Sequence, residues 1–465
     1  MNIQMNLVGE CIGSHAAGAP AVSRWKGGMV SPEWLSACEE ERNLTGNLME
    51  EIANPLNLSK AYQRVKANGG SGGIDGMQTG ELQQWLGNNL EALQSQLMDG
   101  RYQPQGVRGV EIPKPNGGKR QLGIPTVTDR LVQQAMQQVL SKRYEKIFSE
   151  NSYGFRPNKN AHQALKQGGE YVLRGKRYVI DLDLEKFFDE VNHHRLMWLL
   201  SLRIGDTRVL QLICRYLKAG IMQGGLTSQR TKGTPQGSPL SPLLSNIVLD
   251  ELDKELEQRG HSYVRYADDV KIFVSSAQRA GKVKESITQY ITVKLKLKVN
   301  EGKSRVCKCY ELNFLGHSIL SKGELGLSRK SEERLKEKVK EVTERKRGIS
   351  LEEMLKELRT KLQGWLNYFR YAKMGSKLEA LDGWIRRRLK CFRLKQCKLT
   401  IGIVRLLRKL GIEEKLCWKT ALSGKGWWRL SNSPALGISM NKMWFAQQGY
   451  YSLSENYKSL HRKLL

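Results

Sequence analysis

The sequence predicts an α+β chain, in which a mixed strand-and-helix region is followed by a helical bundle. Three observations carry this. Short strands with two-residue alternation interleave with helix-compatible stretches from residue 49 to about 325. Beyond about residue 325 the strand signals fade, and three apolar stripes at helical spacing follow one another. Two acidic clusters, Asp181-Leu182-Asp183 and Asp268-Asp269, sit at the ends of apolar strands.

Residues 1–48 are rich in Gly, Ala and Ser without a clear period, and read as a variable extension. Helices are expected over 49–67 and 79–99. The Gly69–Gly76 stretch between them lacks the Lys-Ser/Thr and the preceding strand of a phosphate loop, so it reads as a hinge or a cap on the second helix. Val107–Pro113 and Lys119–Ile124 form a hairpin around Pro115-Asn116-Gly117-Gly118, with a basic rim of Lys114, Lys119 and Arg120. Helical text runs from Asp129 to about Phe148. Tyr178–Leu184 is a strand, and Tyr263–Val274 reads as two strands hinged at Asp268-Asp269. Ser331–Arg347, Leu351–Phe369 and Leu378–Leu389 carry the three amphipathic stripes of a small bundle.

Composition narrows the partner. The 465 residues include 76 Lys and Arg against 46 Asp and Glu, a net charge of +30. Such a surface attracts a polyanion, and nucleic acid is the first candidate because each neutralised phosphate releases counterions. Eight cysteines show none of the paired spacings of a zinc module, so free thiols in a reducing setting are expected. No Lys or Arg precedes Arg24 and no compact apolar core follows, so a secretory signal is not expected. No uninterrupted apolar run approaches the roughly 20 residues of a membrane helix, and no membrane partner is expected.

Carboxylates clustered among Val, Ile and Phe repel one another unless a divalent cation neutralises them. Hard oxygen ligands suit Mg2+. Two such ions about 3.5–4 Å apart can activate a 3′-hydroxyl and stabilise a leaving pyrophosphate. An isolated Asp-Asp is more often a solvated turn, so the flanking text decides.

Tyr266-Ala267-Asp268-Asp269 between two apolar strands resembles the catalytic signature of reverse transcriptases. Asp183-Leu184-Glu185-Lys186-Phe187-Phe188-Asp189 resembles the family's first catalytic motif. Ser152-Tyr153-Gly154-Phe155-Arg156-Pro157, the run from Gly233 to Leu244, and Phe314-Leu315-Gly316-His317 also match, in the family's order. Leu362-Gln363-Gly364-Trp365-Leu366-Asn367-Tyr368-Phe369 and the text from Leu381 to Leu389 are similar to the thumb and maturase region of group II intron proteins. The chain is thus identified as a member of the group II intron-encoded reverse transcriptase and maturase family, in a form without the HNH endonuclease.

The resemblance implies a right-hand polymerase: fingers over 49–150, palm over 151–325, a thumb/maturase bundle over 326–395 and a small DNA-binding region over 396–465. It implies that Asp183, Asp268 and Asp269 ligate two Mg2+ ions, with the Leu184 carbonyl as a further ligand and Asp181 in support. Phe188 would be the gate that crowds a 2′-hydroxyl, while Phe187 packs in the core. Lys114 and Arg120 would grip the triphosphate, or simply form a solvated rim. Gln236 would line the nucleotide pocket beside Gly237, and Lys303 would meet pyrophosphate. His193 and His194 lack further metal ligands nearby and read as structural.

Ile385 to Leu410 holds ten Lys or Arg and no acidic residue, so Arg386, Arg387, Arg388, Lys390 and Arg393 are expected to bind RNA. Trp427-Trp428-Arg429 and Trp444 either stack on bases or fill a small core. None of the Cys pairs of an HNH nuclease appears, so no cleavage of the second target strand is expected. The implied partners are the group II intron RNA, an RNA template with a DNA primer, dNTPs and target DNA. A monomer and a dimer both remain open. The expected setting is the bacterial cytoplasm, with nucleoid association during mobility. Two alternatives stand beside this reading: an RNA-binding splicing cofactor with a vestigial polymerase, and a reverse transcriptase recruited to host defence.

Overall fold

Proline sets the first boundary. Where the spacing predicts one helix over 49–67, the chain forms two, Leu48–Ala53 and Pro55–Asn68. Pro55 has no N–H to continue the first helix, and the Asn54 side chain caps the second by accepting from Leu56 N at 2.9 Å. Gly69 closes that helix with φ 59°, its N–H reaching Lys66 O and Val65 O. The glycine stretch therefore caps the helix before it, not the one after it.

The computed structural model describes residues 46–113, 117–223, 226–228, 231–235 and 237–462. Lys114, Gln236 and most of the expected N-terminal extension lie outside the described residues. Among those described, ten strands occur: β1 (Val107–Pro113), β2 (Lys119–Ile124), β3 (Tyr178–Asp183), β4 (Ile221–Gln223), β5 (Leu226–Ser228), β6 (Ser262–Tyr266), β7 (Asp269–Val274), β8 (Arg305–Lys308), β9 (His317–Ile319) and β10 (Leu325–Leu327). The chain divides into two compact units, with the break between Cys307 and Lys308 and a short excursion at 172–174.

The first unit holds two sheets. One runs β2-β1-β4-β5, with the expected β1–β2 hairpin antiparallel and β1–β4 parallel. The other runs β6-β7-β3-β8. In it, Ile180, Leu182, Val270 and Ile272 are wholly buried in the unit's core, each such side chain stabilising by about 1.5–3 kcal/mol. Helix Ala277–Val293 packs on β3 and β7, and helix Ser241–Gln258 on β6. Because successive strand residues alternate faces, Asp181, Asp183, Asp269 and Lys271 share the opposite face. Residues of the expected fingers and palm contribute to one continuous core.

The second unit opens with a tight turn: Phe314 and His317 exchange backbone hydrogen bonds of 2.9 Å, with Leu315 at φ 50° and Gly316 at φ 80°. Helices Arg329–Val342, Leu351–Phe369 and Gly375–Gln396 follow, then Thr400–Lys409, Glu414–Ala421 and Leu453–Arg462 with three short helices between the last two. A single core runs from Leu327 to Leu453, so residues of the expected thumb and of the C-terminal region pack together. Cys391, Cys397 and Cys417, among the described residues, are free thiols. Cys214 is disulfide-bonded and departs from the expectation of free thiols.

Candidate active site

The register of β3 on β7 brings the acidic clusters together. Asp183 is the direct cross-strand partner of Asp269, and Asp181 that of Lys271. Tyr266 pairs with Asp269 across β6–β7, leaving Ala267 and Asp268 as a two-residue loop. All three expected ligands are thus neighbours at one end of one sheet.

The negative charge is balanced by lysines. The buried Lys271 ammonium contacts both Asp181 and Asp269. Burial opposes its charge, but the two carboxylates outweigh that and raise its pKa. Lys303 Nζ lies 3.5 Å from Asp183 Oδ2. Among the described residues no three acidic, His or Cys side chains converge on a single point. The donor set nevertheless fits a hard divalent cation: carboxylates in register, mutually repelling, partly accessible from one face. Burial, then the charge of Asp183, raises the pKa of Asp268.

The residues expected around the carboxylates are placed as follows. Arg120 on β2 is exposed and near enough to Asp268 to lower its pKa against those effects. Phe187 is 2% exposed in the core, while Phe188 is only partly buried, its ring 5.5 Å from that of Phe187. The Phe188 carbonyl accepts from Thr234 N at 2.7 Å, seating the Gly233–Leu244 motif on the first catalytic motif. Gly237 has φ 114°, and a Cβ there would lie 2.9 Å from Gly123 O, so β2 can approach only a glycine. Asp183 itself is stitched to the turn at 300–304: its N–H donates to Ser304 Oγ at 3.0 Å and its carbonyl accepts from Asn300 N at 2.8 Å. That turn places Lys303. Leu184 is buried beside it. His193 is structural, as expected, with Nε2 2.7 Å from Gly233 O.

Sequence reasoning missed Lys271. Its signal is a lone cation in an otherwise apolar strand, two residues beyond Asp269 and so on the same face.

In the second unit the basic run is less free than the charge count implies. It divides into two helices, Gly375–Gln396 and Thr400–Lys409. Arg387 stacks 4.0 Å from the Trp428 ring and donates to Trp428 O at 2.9 Å. Arg388 donates to Thr343 Oγ1 at 2.6 Å and to Lys340 O at 3.3 Å. Arg393 donates to Gln396 Oε1 at 2.9 Å. Burial, then Arg386, lowers the pKa of Lys390. Trp427 and Trp444 pack against the core, whereas Trp428 is 41% exposed.

Residues 112–319 match the family described as Reverse transcriptase (RNA-dependent DNA polymerase), and residues 332–409 match the Group II intron, maturase-specific domain. The protein YkfC of Escherichia coli (strain K12) is 34% identical over 319 residues, covering 59% of this chain and 83% of YkfC. The group II intron-encoded protein LtrA of Lactococcus lactis subsp. cremoris is 31% identical over 328 residues, covering 56% of this chain and 54% of LtrA. The chain belongs to the group II intron reverse transcriptase and maturase family. The alignment with LtrA spans about half of that protein's length. In this reverse transcriptase the polymerase match runs through both sheets that frame Asp183, Asp268 and Asp269, and the maturase match falls within the second unit. Its enzyme class is RNA-directed DNA polymerase, and its family uses a divalent metal and binds RNA.

Proposed function

We propose that this reverse transcriptase copies group II intron RNA into DNA, extending a DNA primer on an RNA template with dNTPs, and that its second unit binds the intron RNA to promote splicing and insertion into target DNA. The observation that carries the polymerase reading is the cross-strand pairing of Asp183 with Asp269, with Asp268 in the adjoining loop. Asp183, Asp268 and Asp269, with the Leu184 carbonyl, are the residues that would hold two Mg2+ ions, which supply charge neutralisation at the attacking and leaving oxygens.

The chain's own residues do the rest. Arg120 presents an exposed guanidinium beside Asp268, where a triphosphate meets a charge-assisted donor. Lys303, on the turn stitched to Asp183, offers an ammonium to the departing pyrophosphate. The partly buried Phe188 presents its ring where a 2′-hydroxyl would be crowded. In the second unit, positive charge unbalanced by carboxylates draws the RNA backbone. The protein acts in the cytoplasm and on the nucleoid.

Primer extension on an RNA template, comparing wild type with Asp268→Ala, tests the reading. Wild type is expected to extend and the variant to fail, while protein-dependent splicing at low Mg2+ survives in both. An inactive wild type that still supports splicing would move the function to a splicing cofactor with a vestigial polymerase.

A further inference from the structure

Ala267 is in the left-handed region, at φ 57°, at the first position of a two-residue hairpin loop. Such loops usually place glycine or asparagine at positive φ. A non-glycine residue there is strained, and the strain persists only if the surroundings over-determine it. The strained residue immediately precedes Asp268.

Arg265, two residues upstream, is the largest of the fully buried side chains. Its Nη1 donates to Ala267 O at 2.9 Å and to Asn246 Oδ1 at 2.9 Å. Its Nε and Nη2 bond Asp253 at 2.8 and 2.5 Å, and both side chains are 0% exposed. Asn246 Nδ2 donates to Gly154 O at 2.9 Å. Gly154 lies so close to the loop that an added Cβ would stand 2.2 Å from Ala267 N. Ala267, Arg265, Asn246 and Gly154 therefore close a ring around the loop. The backbone adds to it: Tyr153 N donates to Arg265 O and Arg265 N to Asn151 O, each at 2.9 Å.

A buried ion pair is poor evidence for stability, since desolvation offsets most of its attraction and apolar residues of similar volume often do as well. What an apolar pair cannot supply is a directed donor to the Ala267 carbonyl. We propose that Arg265, oriented by Asp253 and Asn246, is a positioning residue that holds the Ala267–Asp268 loop in its strained form and so sets where the Asp268 carboxylate points. The motif at 152–157 gains a role by the same geometry: Gly154 is the floor on which the catalytic loop rests.

The proposal rests on the polymerase reading, and wild-type extension run alongside separates the two: an inactive wild type sinks that reading, whereas the outcomes below concern Arg265 alone. The full-length double variant Arg265→Met/Asp253→Leu replaces the pair with apolar residues. It is expected to fold with an unfolding midpoint near wild type, to keep its KM for primer–template, and to lose kcat by about 100-fold, the scale of a misplacement of about 1 Å. Adding Ala267→Gly should recover much of that loss, because glycine adopts positive φ without strain. A folded double variant with wild-type kcat overturns the proposal, as does a loss that Ala267→Gly leaves untouched. If the double variant does not fold, Asn246→Ser keeps the Arg265–Asp253 pair and cuts the link to Gly154. It should lower kcat at constant KM, and an unchanged kcat there overturns the proposal equally.

Discussion

Asp268→Asn is expected to make the first unit more stable while abolishing polymerisation. Burial, then the charge of Asp183, raises the pKa of Asp268, and Arg120 and Lys271 pull the other way without cancelling the rise. A raised folded-state pKa means that the ionised form is the disfavoured one in the fold. The associated stability is fully present below the unfolded-state value of about 3.9 and is lost as pH rises through the folded value. At pH 7 the wild type therefore bears a cost that asparagine does not. A like-charge neighbour at a partly solvated site costs about 0.2–1 kcal/mol, the scale of an exposed ion pair, and partial burial of Asp268 adds to that, so the gain is about 1 kcal/mol. In a unit of about 300 residues that is a rise of roughly 1–2 °C in unfolding temperature. Thermal unfolding of both proteins with EDTA present, at pH 7 and again near pH 4, reads it: the difference should be largest at pH 7 and shrink at acid pH. In Mg2+ the variant should lose about three powers of ten in primer extension, because a ligated metal supplies several kcal/mol of charge stabilisation. A variant less stable than wild type at pH 7, or a difference that grows on acidification, would refute the reasoning.

Two further predictions concern buried charge. Lys271→Met leaves Asp181 and Asp269 facing each other unbalanced. Removing one partner of a fully buried pair costs about 3–5 kcal/mol, but the Asp269 side chain is 37% exposed, so urea unfolding should show a loss of about 2–3 kcal/mol. A loss well under 1 kcal/mol would mean that Lys271 is not the counter-charge of the site. Asp382→Asn acts in the second unit: Asp382 Oδ1 accepts from Tyr450 Oη and Leu453 N, and Oδ2 from Ser452 Oγ, Ser454 N and Ser454 Oγ, all within 2.7–3.0 Å. An amide nitrogen turned toward either set loses at least two bonds to a charged acceptor, so unfolding should shift by about 3 kcal/mol and protease cleavage should appear ahead of helix Leu453–Arg462. Unchanged protease resistance would deny that Asp382 anchors this helix.

How much was legible follows from how local each signal is. Strands β1 and β2 end where the alternation and the Pro115–Gly118 turn say they should, because both signals lie within a dozen residues. The three candidate ligand aspartates were legible for a different reason: the motif text around them resembles a family, and the β3–β7 register places them together. The Asn54–Pro55 break was written in the sequence and is decided by a single missing N–H. Arg265 and Lys271 were visible only as cations in apolar strands, since their partners Asp253, Asn246 and Asp181 lie 12, 19 and 90 residues away. Asp382, beside a glycine and a tryptophan, carries no local signal of burial. It is 0% exposed because its partners come from the chain 68–72 residues later.

The basic run in the second unit shows why counting charges overstates the number of free donors. Ile385, Leu389 and Phe392 are buried and fix the inner face of helix Gly375–Gln396. Arg386, Arg387 and Arg388 fall between them and are all half-buried. Arg387 and Arg388 spend N–H groups on carbonyl and hydroxyl oxygens of their own unit. Those acceptors are neutral, so the hydrogen bonds are used while the charge is not. Burial lowers the pKa of Arg388, and with nearby like charge that of Lys390, the direction expected where cations crowd together without carboxylate partners. A surface of this kind attracts a polyanion through its field, and its contribution to binding should scale with salt rather than with base identity. Selectivity for the intron RNA proposed above must then come from shape and from groups outside this run, such as the exposed Trp428 face that Arg387 braces.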